Sequence, residues 1–88
     1  MRQREATVCN ELGMHLRSAG MFVRTAARFK ARIRVGTPEV AAVDGKSILG
    51  LVTLGAARGS VLQIQAEGPD ETEAVDVLIA LVEDGFGE

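Results

Sequence analysis

The chain has a single histidine, His15, in the stretch LGMHLRSAG, with Gly13 two residues before it and Arg17 two residues after. If a helix starts near residue 16, the imidazole stands at or beside its N-cap. There the first turn leaves backbone N–H groups without partners, and the helix dipole adds partial positive charge. An anion held next to His15 would find those donors waiting. Arg17 adds a full positive charge and a fork of donors suited to phosphate oxygens. A neutral imidazole nitrogen is a competent nucleophile, and histidine is among the residues that form covalent intermediates. The combination fits a histidine that accepts a phosphoryl group and passes it on, with no metal or cofactor of its own. Spacing alone favours the plainer reading, a solvated helix cap. One histidine and one cysteine fall short of the three or four ligands of a zinc site, so no metal site is expected. Nucleophilic catalysis through Cys9 lacks a recognisable signature around that residue.

The elements that must position His15 can be read from periodicity. REATVC, residues 4–9, reads as a strand with Ala6 and Val8 on one face, and NELGMH as the turn after it. From Leu16 to about Phe29, the residues Ala19, Phe22, Val23, Ala26 and Ala27 follow the spacing of an amphipathic helix. ARIRV, residues 31–35, alternates with Ile33 and Val35 inward, and after Gly36, Thr37 and Pro38 the segment EVAAV, residues 39–43, is expected to return as a hairpin partner. Asp44 and Gly45 mark a turn, and Ser47 can cap a short helix, ILGLVTL, that Gly55 ends. VLQIQAE, residues 61–67, alternates again with Leu62, Ile64 and Ala66 on one face. Asp70 and Glu73 make a capping-box-like start to a last helix whose stripe is Ala74, Val75, Leu78, Leu81 and Val82. The order is β-α-β-β-α-β-α. Strands that alternate have one wet face, so the expected fold is α+β: an open-faced β-sandwich with a four-stranded antiparallel sheet covered on one face by three helices.

Length and composition are consistent with this. At 88 residues, one domain spanning 1–88 is expected, with a core built mainly from aliphatic side chains because the aromatics are three Phe. The formal net charge of −2 is unevenly spread. Arg17, Arg24, Arg28, Lys30, Arg32 and Arg34 crowd one stretch, whereas no basic residue follows Arg58. A basic end and an acidic end suit docking to a charged partner, although two solvated helix faces explain the charges as well. Cys9 has no partner for an intramolecular disulfide, and no apolar run suggests a signal segment or membrane insertion. A reducing, cytoplasmic setting is expected.

LGMHLRSAGMFVRTAARF, DGKSILGLVTLGAARGS and AEGPDETEAVDVLIALVEDGFGE together resemble the histidine-containing phosphocarrier protein (HPr) family of the bacterial phosphoenolpyruvate-dependent phosphotransferase system. The resemblance runs from about residue 4 to the end of the sequence. It implies that His15 is phosphorylated on Nδ1 by Enzyme I and that Arg17 contacts the phosphoryl group. The amides of Leu16 and Arg17, at the start of the following helix, would receive that group. It implies regulation at Ser47 by HPr kinase/phosphorylase. A docking patch of Leu16, Gly20, Ile48, Leu49 and Val52, rimmed by Arg17, Arg24 and Arg28, would meet Enzyme I and the downstream phosphotransferase components. On this resemblance the chain is a carrier rather than an enzyme, and a monomer without cofactors. An HPr-like regulatory partner controlled mainly through Ser47 is the alternative within the same fold. A nucleic-acid module is disfavoured because the strands carry no aromatics for base stacking. Two departures stand out. Ser18 occupies the place where the family has proline, which would pre-set the first helical turn. The stretch RVGTPEVAAVDGKS is one residue longer than is usual in the family.

Overall fold

The computed structural model describes residues 1–88. The strands and helices, in chain order, are β1 (Arg2–Thr7), α1 (Leu16–Ala26), β2 (Arg32–Gly36), β3 (Val43–Asp44), α2 (Ile48–Thr53), β4 (Val61–Glu67) and α3 (Glu71–Glu83), followed by a 3-10 turn at Gly85–Gly87. The sheet order is β1-β4-β2-β3, and every pairing is antiparallel. β4 is central, with Ala6 opposite Leu62 on one side and Val35 opposite Ile64 on the other.

Alternation decides which face is covered. Ala6, Ile33, Val35, Leu62, Ile64 and Ala66 are buried beneath the helices. Gln63, Gln65, Arg32 and Glu67 point to the opposite, open face. The expected α+β open-faced architecture is the one observed. From α1, Ala19, Phe22 and Ala26 enter the core; α2 adds Leu51, and α3 adds Ala74, Val75, Leu78, Ile79 and Val82. Each large aliphatic or aromatic side chain so buried stabilises the fold by about 1.5–3 kcal/mol before entropy is counted. Because α3 packs on β1, β4 and α1 at once, its buried arc is wider than a single stripe: Ile79 joins it and Leu81 is only half-buried.

Four local expectations are corrected. Of EVAAV only Val43 returns as a hairpin partner, since pairing with β2 is confined to Val43 and Asp44. The Thr37 hydroxyl oxygen accepts the N–H groups of Glu39 and Val40 at 3.3 and 2.9 Å. Those groups are thus diverted from a ladder, and Pro38 has no N–H to offer. Helix α1 ends at Ala26 rather than Phe29; Arg28 and Phe29 donate instead to carbonyls three residues back, and Ala27 is exposed. Cys9 lies beyond β1, which begins earlier and ends at Thr7. Asp70 and Glu73 form no capping box. The Asp70 carboxylate accepts instead the N–H groups of Lys30 (2.9 Å) and Ala31 (2.8 Å), bracing the start of α3 against the approach to β2.

Candidate functional site

The site begins in the turn between β1 and α1. Gly13 holds φ +69°, and a Cβ there would lie 2.5 Å from the Ala56 carbonyl oxygen, so only glycine lets this turn press against the 56–57 backbone. Met14 N–H then donates to that same carbonyl at 2.8 Å. The turn delivers His15 to the N-cap of α1 in an extended conformation (φ −111°, ψ −175°). Its Nδ1 accepts the Arg17 N–H at 3.3 Å.

Ser18 is fully buried in the first turn of α1. Its Oγ accepts the His15 N–H at 3.0 Å and donates to the Gly13 carbonyl at 2.8 Å. The hydroxyl thereby ties the first turn of the helix to the loop that carries the histidine.

The other ring nitrogen faces a residue that sequence reasoning did not single out. His15 Nε2 lies 3.0 Å from Oε2 of Glu88, with the two side chains only 29% and 16% exposed. The second oxygen of Glu88 accepts from Asn10 Nδ2 at 3.3 Å, and that amide also donates to Gly13 O at 2.8 Å. A carboxylate accepts only, so the Nε2 side of the ring carries the hydrogen; Nδ1 receives an N–H and so presents a lone pair. One neutral tautomer satisfies both contacts. The hydrogen bond from His15, with that from Asn10 behind it, holds the Glu88 carboxyl below the usual range, against the desolvation that pushes it up.

Glu88 is brought there by an unusual turn. Gly85, Phe86 and Gly87 all have positive φ (66°, 57° and 74°), and the Phe86 side chain is fully buried. A non-glycine residue in the left-handed region is strained and persists only where its surroundings fix it; here the buried ring does so. The signal available in the sequence was GFGE itself, two glycines around an aromatic.

Arg17 is exposed and its guanidinium enters no ion pair. Leu16 and Leu49 are 72% and 75% exposed, Ile48 is exposed and Val52 half-buried, on two helices, α1 and α2, that pack together. Gly20 is buried, with the Arg24 guanidinium alongside: a Cβ on Gly20 would sit 3.4 Å from it. Ser47 is the N-cap of α2, and its Oγ accepts the Gly50 N–H at 3.0 Å.

Comparison with known proteins gives a consistent result. Residues 2–84 match the family described as the PTS HPr component phosphorylation site. The phosphocarrier protein HPr of Pseudomonas aeruginosa is 40% identical over 84 residues, covering 96% of this chain and 93% of that protein. Among solved structures, HPr-C-His from Thermoanaerobacter tengcongensis superposes with a TM-score of 0.93 at 40% identity, covering 100% of this chain and 98% of that one. A dimer of HPr from the same organism matches with a TM-score of 0.77 at 40% identity, covering all of both chains.

Proposed function

This chain belongs to the HPr family of phosphocarrier proteins of the phosphotransferase system, and from that premise we propose that it accepts a phosphoryl group on His15 Nδ1 from phosphorylated Enzyme I. It then passes that group to a downstream phosphotransferase component. One observation carries the reading: the Nδ1 lone pair is turned to the Arg17 N–H at the start of α1, where an anion is favoured. As the Nδ1–P bond forms, the bond from phosphorus to the Enzyme I donor breaks and its electrons stay with the donor. The Arg17 N–H then becomes free to donate to a phosphoryl oxygen, beside the amide of Leu16. The unpaired Arg17 guanidinium supplies the balancing charge. On this reading the chain is a monomeric, one-domain carrier in the cytoplasm, turned over by enzymes rather than being one.

Leu16, Ile48 and Leu49 with the half-buried Val52 supply apolar contact area for partners, and Arg24 beside Gly20 supplies positive charge for an acidic surface. Ser47 is the candidate regulatory site. A phosphate on its Oγ would place negative charge directly beside exposed Ile48 and Leu49 and so oppose docking. The test is transfer from phosphoenolpyruvate through Enzyme I, followed by intact-protein mass spectrometry. Wild type is expected to gain one acid-labile phosphate and His15→Ala none. A phosphate retained in His15→Ala, or one stable to acid, would refute the relay.

A further inference from the structure

We propose that Glu88 is a positioning residue that decides which ring nitrogen of His15 is phosphorylated, by binding Nε2–H and so leaving Nδ1, which faces the Arg17 N–H, as the nitrogen with the lone pair. The inference rests on the phosphocarrier reading for its biological meaning, and on geometry for its substance. A free imidazole exchanges its proton between both nitrogens, so both are nucleophilic. Here Oε2 of Glu88 lies 3.0 Å from Nε2, on the ring edge opposite the Arg17 N–H. The carboxylate is itself held from behind by Asn10 Nδ2 on its other oxygen. The backbone that delivers Glu88 is set by the left-handed turn at residues 85–87, which the buried Phe86 ring anchors, and by the Glu88 N–H donating to the Gly85 carbonyl at 3.0 Å. The contact does two things at once. It occupies Nε2 sterically and electronically, and it sets a negative charge beside the ring as Nδ1 bonds to phosphorus and the ring becomes cationic.

The step balances without any added reagent. The Nδ1 lone pair forms the N–P bond, the donor's bond to phosphorus breaks with its electron pair leaving on the donor, and the Nε2 proton stays where it is, shared with Glu88. Return of the phosphoryl group to an acceptor regenerates the same neutral tautomer.

The experiment uses the full chain, labelled with 15N, and phosphoramidate as a small phosphoryl donor that needs no Enzyme I. Long-range 1H–15N spectra at about pH 9, where imidazoles are neutral, read the tautomer, and the 15N and 31P spectra of the product identify the isomer. Wild type is expected to show the Nε2–H tautomer and the Nδ1 phosphate alone. Glu88→Ala is expected to show mixed tautomers and an Nε2 isomer that the wild type lacks. Glu88→Lys places a donor at Nε2 and is expected to shift the ring toward the Nδ1–H form. A folded Glu88→Ala variant, judged by its dispersed amide spectrum, that keeps one tautomer and one isomer would overturn the proposal. So would a wild type with hydrogen on Nδ1. If Glu88 controls the isomer but Enzyme I transfers nothing, the relay is wrong and the positioning role stands. Normal Enzyme I transfer with an isomer pattern indifferent to Glu88 means the reverse.

Discussion

Ser18 obtains by hydrogen bonding what a proline at this position obtains by a fixed ring. Proline pre-sets φ at the start of a helix; the Ser18 hydroxyl instead accepts the His15 N–H and donates to Gly13 O from a fully buried position. The His15 N–H also reaches the Gly13 carbonyl at 3.1 Å, so the hydroxyl is one of two acceptors for it. Ser18→Ala is therefore expected to cost about 1 kcal/mol, the worth of a helix cap or one buried hydrogen bond. For a domain of this size that lowers Tm by about 4–8 °C in a thermal melt. An unchanged Tm would show that the first turn is held by something else. At this scale the place of His15 at the N-cap of α1, with Arg17 beside it, was legible in the sequence because that geometry is local, two residues apart. Glu88 was not, because it reaches His15 across 73 positions and depends on a fold that periodicity describes only coarsely.

At the scale of elements, the strands and helices legible in the sequence are those whose apolar spacing is imposed by a single buried face: β2, β4, α1 and the inward positions of α3. Residues 39–43 misled because their composition is strand-like. The N–H groups of Glu39 and Val40 are captured by the Thr37 side chain, a competition that spacing does not reveal, and only Val43 of the five joins a strand. Asp70 has the right type for a cap and the right place. Yet Lys30 and Ala31, 40 and 39 residues away, offer its carboxylate better-placed donors. The turn after α3 is the element on which the site depends most. Phe86→Ala removes a fully buried ring and is expected to destabilise by about 3–5 kcal/mol, against less than about 1.5 kcal/mol for Phe86→Leu, as read by denaturant titration. Equal costs for the two would mean that the ring does not anchor the turn.

For the molecule as a whole, opposite charge is sorted along the chain: the basic stretch from Arg17 to Arg34 and the acidic α3 segment meet where Asp70 braces residues 30 and 31. The Lys30 N–H above all, with the Ala31 N–H adding to it, holds the Asp70 carboxyl below its ordinary range although desolvation opposes the shift. A carboxyl depressed in the folded state binds its proton more readily when unfolded. Its stabilisation is therefore complete above the ordinary carboxylate range and lost as pH falls through the lowered folded value. Asp70→Ala is expected to be less stable than wild type near neutral pH, with the gap closing toward strongly acidic pH. A gap constant with pH in paired denaturation series would contradict this account. No helix is long and apolar enough to cross a membrane, and the site opens on a surface where Leu16, Ile48 and Leu49 stand exposed.

The most direct test of the central claim is the NMR spectrum of the intact chain after phosphorylation by Enzyme I and phosphoenolpyruvate. The account predicts phosphorus bonded to His15 Nδ1, hydrogen retained on Nε2, and the amides of Leu16 and Arg17 shifted as they turn to the phosphoryl oxygens. Phosphate found on Nε2, on Ser47 instead of His15, or nowhere at all would contradict it.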